Sequence, residues 1–207
     1  MCRSVERPWN PQRDDMASFP KNTIALRTKA FQVIRDKSFA FGDFTLVSGK
    51  KSDYYLDMKP AMFDPEGINL LSRMVLNKIE DLKPDYIGGL EMGAVPLIAP
   101  ISMLSLKPNG RGIPGFFVRK EVKDHGTKKR IEVAEGDLHG KSVVILEDVT
   151  TKGESAMQAV KAVQSAGAKV ILILSIVDRE EGAAELFKRA GLNFDCLFRA
   201  SEFKAAK

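Results

Sequence analysis

Two adjacent carboxylates, Glu147 and Asp148, stand directly before a turn that reads Val149-Thr150-Thr151-Lys152-Gly153-Glu154-Ser155. The turn is rich in hydroxyls, carries one glycine and runs into a helical pattern. Backbone N–H groups of such a turn, with the N-terminus of the helix behind them, form a cradle for an anion, most naturally a phosphate. Carboxylates beside a phosphate would repel it. They make sense if they accept hydrogen bonds from neutral hydroxyls, such as those of a ribose, or meet a Mg²⁺ ion. The chemistry suggested is a ribose 5-phosphate held at both ends. An isolated Glu-Asp pair would be read as a solvated acidic turn; the full run Val143–Ser155 is far more specific. The sequence has no Gly-x-x-x-x-Gly-Lys-Ser/Thr segment, which removes the nucleoside-triphosphate P-loop as a competitor.

A second cluster is Arg119-Lys120-Glu121-Val122-Lys123-Asp124-His125-Gly126, followed by Thr127-Lys128-Lys129-Arg130. A charge run is usually a solvated hairpin. Beside a phosphate-binding turn it gains a purpose, because a polyphosphate leaving group needs cationic donors as its charge develops, and a mobile lid supplies them only when substrate is present. Long loops in a compact domain are usually functional or disordered.

The elements that must position these residues can be read from periodicity. Val143–Leu146 is a short continuous apolar run, the mark of a strand buried on both faces. Such a strand delivers Glu147 and Asp148 to the carboxyl edge of a parallel sheet, where open α/β sheets bind ligands. Tyr86–Leu90, Gly115–Val118, Val170–Val177 and Asp195–Arg199 read as further strands. Ala94–Leu106, Ser155–Ala166 and Gly182–Ala190 read as helices, the last two stopped by Gly167 and Gly191. Residues 119–135 read as a long polar loop. Upstream, Asn22 or Thr23 can cap a first helix with Ile24, Phe31 and Ile34 among its apolar positions. Phe41–Leu46 and Asp53–Met58 read as a hairpin, and Asp64-Pro65 starts a helix through Leu70, Leu71, Met74, Val75 and Ile79. Alternating strands and helices give an α/β class with a parallel sheet covered on both faces. The hairpin breaks that alternation and is expected to form a small N-terminal hood over the sheet's carboxyl edge.

At 207 residues the chain is long enough for one domain with an appendage. Residues 1–20 read as a loosely attached extension and 21–207 as the domain, with 21–62 and the C-terminal end contributing the hood. The net charge is +5, which suits nucleic acid or a polyanionic small substrate. Much of the basic charge lies in residues 119–130 rather than along a helix face, and no helix-turn-helix or RNA-binding motif stands out. The expectation is therefore no nucleic acid. There is no apolar run long enough to span a membrane, and the N-terminus lacks a secretory signal. Two cysteines, Cys2 and Cys196, make neither a metal-ligand pattern nor a disulfide framework, which fits a reducing cytoplasm.

The run Val143–Ser155 resembles the phosphoribosyl pyrophosphate (PRPP) signature of type I phosphoribosyltransferases. The motif Arg119-Lys120-x-x-Lys123-x-His125-Gly126, with Arg130-Ile131-Glu132 after it, resembles the catalytic loop of orotate phosphoribosyltransferases. So do Ser48-Gly49…Ser52-Asp53-Tyr54-Tyr55-Leu56-Asp57 and Asp178-Arg179. The resemblance implies a Rossmann-like core with a hood, and transfer of the phosphoribosyl group from PRPP to orotate in pyrimidine biosynthesis. It implies that Glu147 and Asp148 bind the ribose 2- and 3-hydroxyls and that Thr150 to Ser155, Lys152, Gly153 and Glu154 included, hold the 5-phosphate, with Val149 leading into that turn. Arg119, Lys120, Lys123 and His125 would face the pyrophosphate as the catalytic loop. Thr151 and Arg179 would meet orotate, Arg179 as a planar fork for its carboxylate. Tyr55 and Leu56 would pack on the pyrimidine. Mg²⁺ would ride with the diphosphate, without a protein cage. A homodimer is implied, with the loop reaching the neighbour's site. Leu90-Glu91-Met92-Gly93-Ala94 resembles the family's pyrophosphate loop, with a non-proline cis peptide expected at Leu90–Glu91. Val47 and Met92 stand where some relatives carry lysine.

Rival readings are a transferase for a purine or uracil acceptor, which would not need Arg179, and a PRPP-sensing regulator, which would not need an intact loop. A fusion with a decarboxylase is excluded by length.

Overall fold

The computed structural model describes residues 23–45, 49, 51–106, 112–121 and 129–206. The N-terminal extension, Asn22, Val47 and Ser48 lie outside the described residues. Helix α1 (Thr23–Ser38) buries Leu26, Ala30 and Ile34. Ile24, expected among its apolar contacts, is exposed. Helix α1 runs directly into strand β1 (Phe39–Thr45), which pairs antiparallel with β2 (Lys51–Leu56) and shifts register between Phe41 and Phe44. The hairpin thus begins and ends two residues earlier than the sequence pattern suggested. Met58, expected in the second strand, is instead fully buried before a short helix, α2 (Lys59–Phe63). Pro60 in the first turn of α2 suits a helix start, where its missing N–H is no loss. Helix α3 (Pro65–Ile79) begins as expected. The Asp64 carboxylate accepts from Gly67 N–H at 2.9 Å, and Pro65 opens the first turn.

The main sheet comes next, built from β3 (Tyr86–Leu90), β4 (Gly115–Val118), β5 (Ile131–Val133), β6 (Ser142–Thr150), β7 (Lys169–Asp178) and β8 (Phe194–Arg199). Its order is β5-β4-β3-β6-β7-β8, parallel throughout except for the β4–β5 pair at the edge. Strand β5 lies inside the stretch read as loop; three residues are too few to leave a periodic signal. Val144 and Leu146 of β6 face one core with α3 and helix α4 (Val95–Ser105). Val143 and Ile145 face the other, with α5 (Glu154–Ser165) and α6 (Ala183–Arg189). Both faces being covered explains why β6 is apolar without alternation.

After β8 comes a helix that the sequence pattern did not reveal, α7 (Ala200–Ala205). Its Phe203 stacks on Phe31 of α1 at 4.5 Å between ring centres and on Phe39 of β1 at 5.4 Å. The C-terminus is thereby packed against the N-terminal hairpin, above the same sheet edge that carries Glu147 and Asp148.

Candidate active site

Strand β6 carries Glu147 to Thr150 further than the sequence suggested. The ladder with β7 continues to Thr150 opposite Asp178, so these four residues are strand rather than turn. The turn proper is Thr151-Lys152-Gly153. Gly153 has φ +82°, and a Cβ there would lie 2.6 Å from the Phe187 ring of α6. Only glycine fits both demands. No side chain caps the N-terminus of α5. Glu147, Val149, Thr150, Thr151, Lys152, Gly153, Glu154 and Ser155 line one cleft of about 290 Å³, with Glu181 at its rim. The residues expected to form the anion cradle, Lys152 among them, are thus brought to one cleft.

The two carboxylates are strongly perturbed. Burial, aided by the charge of Asp148, pushes Glu147 up to about 8, against the opposing pull of the Lys120 ammonium. Burial also raises Asp148, while the Val149 N–H it accepts from and the Lys59 ammonium work the other way. Glu147 Oε2 and Thr150 Oγ1 are buried without a hydrogen-bond partner among the described residues. Buried polar atoms rarely stay unpaired unless something binds there. Gly93 closes the site from below: a Cβ on it would sit 2.5 Å from Asp148 Oδ1. A non-proline cis peptide is present, but at Glu91–Met92 rather than Leu90–Glu91. Glu91 N–H still donates to Val118 O at 2.9 Å, so the extended strand continues one residue beyond Leu90 before the chain turns.

Of the loop cations, Arg119 and Lys120 stand at its first stem; Lys123 and His125 lie outside the described residues. Arg119 N–H donates to Arg130 O at 2.9 Å, which closes the stem. The Arg119 guanidinium pairs with Glu132 at 3.0 Å and lies 4.0 Å from Glu91. Glu91 also accepts from Lys120 N–H at 3.0 Å, so one carboxylate ties the loop stem to the cis-peptide turn.

On the acceptor side, strand alternation separates two residues expected to share one ring. Leu56 is buried in the core and Tyr55 is 46% exposed, because neighbours in a strand point to opposite faces. Arg179, its side chain only 8% exposed, pairs with Glu181 at 2.8 Å and lies 4.6 Å over the ring of Tyr54. Arg179, Tyr54, Ser52 and Lys51 share a second cleft of about 660 Å³ with residues of α7. Glu181 lines both clefts.

A phosphoribosyl transferase domain model matches residues 63–190, more than half of the chain. The orotate phosphoribosyltransferase of Rhodopseudomonas palustris (strain TIE-1) is 51% identical over 86% of this chain and 96% of its own length. That of Bradyrhizobium diazoefficiens (strain JCM 10833) is 51% identical over 88% of this chain and 98% of its own.

The chain belongs to the orotate phosphoribosyltransferases.

The crystal structure of Mycobacterium tuberculosis orotate phosphoribosyltransferase in complex with 5-phospho-alpha-D-ribosyl 1-diphosphate superposes with a TM-score of 0.72. It is 30% identical, with 86% of this chain and 99% of that one covered. The architecture expected for a type I phosphoribosyltransferase, a parallel core sheet with helices on both faces, is the one present.

Sequence reasoning missed several residues of this phosphoribosyltransferase site. Gly93 reads in sequence only as part of a loop, and nothing there shows that it abuts Asp148. Lys59 reaches Asp57 at 3.0 Å and acts on Asp148, two residues beyond the Tyr-Tyr segment. Tyr54 carries no role in the sequence reading, which assigned the pyrimidine contact to Tyr55 and Leu56; the hairpin's register, which buries Tyr54, was not legible.

Proposed function

We propose that the chain transfers the 5-phosphoribosyl group of PRPP to orotate, giving orotidine 5′-monophosphate and pyrophosphate for pyrimidine biosynthesis. The observation that carries this is a pair of clefts that share Glu181: one lined by the buried carboxylate of Glu147 and the turn that follows it, the other by an arginine over an aromatic ring.

The 5-phosphate lies at the N-terminus of α5, held by N–H and hydroxyl groups from Thr150 to Ser155. The unpaired Glu147 oxygen and Asp148 accept the ribose 2- and 3-hydroxyls. Arg179 holds the carboxylate of orotate beside Thr151, with Tyr55 at the open edge of the hairpin. Orotate is already an anion, so no strong base is required. Bond breaking at C1 runs through an oxocarbenium-like state, and catalysis is positioning plus stabilisation of the leaving group. Arg119, Lys120, Lys123 and His125 serve that leaving group from the loop, and loop closure keeps water from C1.

A divalent cation fits this donor set. Glu147 and Asp148 supply hard oxygen atoms, one of them unpaired, and among the described residues no larger His, Cys, Asp and Glu group assembles into a cage. Mg²⁺ would complete its shell with oxygens of the substrate and neutralise diphosphate charge.

A homodimer sharing the loop across its interface is part of the reading. Helix α4 is apolar all round, yet Met103 and Leu106 at its end are exposed, and Met92 before it is exposed as well. A helix apolar on every face is normally buried. A second copy of the chain covers this face, beside the start of the loop. A cytoplasmic setting is in keeping with the free thiol of Cys196, and no described helix is long and apolar enough to cross a membrane.

The test is an absorbance assay with PRPP, Mg²⁺ and orotate, with uracil and hypoxanthine in parallel. Turnover with orotate alone is expected. Turnover with a base lacking the carboxylate would move the chain to another branch, and PRPP binding without turnover would favour a regulator.

A further inference from the structure

The acceptor cleft contains a second cation that comes from the end of the chain. Lys204, on α7, places its ammonium 4.3 Å from the centre of the Tyr54 ring, the ring that Arg179 overlies at 4.6 Å. Both residues line the same cleft, together with Lys51 and Ser52. Two cations gathered at one ring repel each other unless an anion offsets them. Arg179, its own side chain nearly buried, has a short partner in Glu181 at 2.8 Å. Lys204 has a longer one, Asp53 at 3.5 Å, whose side chain is 75% exposed. Exposed pairs of that kind are weak and easily exchanged. Of the two cations at the Tyr54 ring, the Lys204 ammonium is therefore the one more readily given to an incoming carboxylate.

The placement of Lys204 is built in. Glu180 follows Arg179 in a left-handed conformation, φ 61°, and its N–H donates to the Asp178 carboxylate at 2.9 Å. The Glu180 carboxylate in turn accepts from Ser201 N–H at 3.0 Å, in the first turn of α7. At the other side Phe203 stacks on Phe39, which itself stacks on Tyr54 at 5.1 Å. The arginine and the helix bearing the lysine are thus fixed to one another through Glu180, and both to one aromatic ring.

We infer that α7 completes the acceptor site, with Lys204 and Arg179 together gripping the carboxylate of the acceptor across the Tyr54 ring. This rests on the reading of Arg179 as the acceptor's partner. Lys204 is a binding residue for the acceptor and not for PRPP, since the anion cradle lies on the other side of Glu181.

The experiment compares steady-state kinetics of Lys204→Met, Lys204→Arg and Arg179→Ala with the wild-type full chain, with thermal melting of each. Lys204→Met should raise KM for orotate about tenfold, the scale of one hydrogen bond to a charged group, and leave KM for PRPP and Tm nearly unchanged. Lys204→Arg should restore most of the loss. If Arg179→Ala raises KM for orotate and Lys204→Met does not, the inference fails while the acceptor site stands. If neither changes it, the acceptor assignment itself fails. A rise confined to KM for PRPP would overturn the inference as well.

Discussion

The α-carbon of Gly93 stands so close to the Asp148 carboxylate that a Cβ would come within 2.5 Å of Oδ1. The turn after β3 and the end of β6 are thus in contact through a missing side chain. Gly93→Ala must push Asp148 aside. With a ribose hydroxyl as its partner, kcat/KM for PRPP should fall by roughly 10- to 100-fold, the scale of misplacing a group by about an ångström. Binding of PRPP measured by calorimetry should weaken in parallel, and an unchanged affinity would detach Asp148 from the ribose.

Glu147 gives a pH signature. Its carboxyl rises from an ordinary 4.5 to about 8, through burial first and Asp148 second. Between those values the folded protein holds a proton that the unfolded chain has lost, so stability decreases as pH rises through the window. Tm of the ligand-free protein should decline from about pH 5.5 to about pH 8.5, and Glu147→Gln should flatten the decline. Hydroxyl donors on bound PRPP favour the ionised form and draw the carboxyl back down. Binding near pH 7 should therefore release up to about one proton per site, seen as a dependence of the binding enthalpy on the buffer. Identical enthalpies in buffers of different ionisation heat would contradict this.

Lys123 tests the loop. If it has the proposed role of central cation for the leaving group, its replacement by alanine should lower kcat by ~10²–10³-fold, the usual scale for one charge-stabilising donor. A loss under about threefold would rule it out of that role.

Helix α4 tests the assembly. Met103 is 65% exposed on a helix without a polar face. Met103→Glu places a charge where the second copy would sit. The variant should elute as a monomer by size-exclusion chromatography with light scattering, and lose activity if loops are shared. A wild-type protein that is already monomeric would end the proposal.

Much of this protein is written in short runs of its sequence. Val143–Leu146 must be buried on both sides, because four consecutive apolar residues have no solvent face. Glu147 and Asp148, next along the chain, must then emerge at a sheet edge. The Thr151-Lys152-Gly153 turn and the capped start at Asp64-Pro65 are local chemistry, readable without a fold. The loop Arg119–Gly126 and the residue pair Asp178-Arg179 were legible as motifs for the same reason.

Other features needed the third dimension. Strand β6 extends through Thr150 because β7 is there to pair with it, not because Glu147 and Asp148 favour a strand. Leu56 parts from Tyr55 because the hairpin's register turns Tyr54 and Leu56 inward together. The cis bond falls after Glu91, whose N–H donates to Val118 O across the sheet. Lys204 is far from Tyr54 and Arg179 in sequence; stacking of Phe203 on Phe31 and Phe39 brings it to them. Sequence by itself determined that Glu147, Asp148 and the turn after them stand together at one sheet edge, since those groups are neighbours along the chain. Only the tertiary structure decided what surrounds Tyr54 and Arg179, since that cleft is assembled from β2, the end of β7 and α7, whose contacts are set by packing rather than by adjacency.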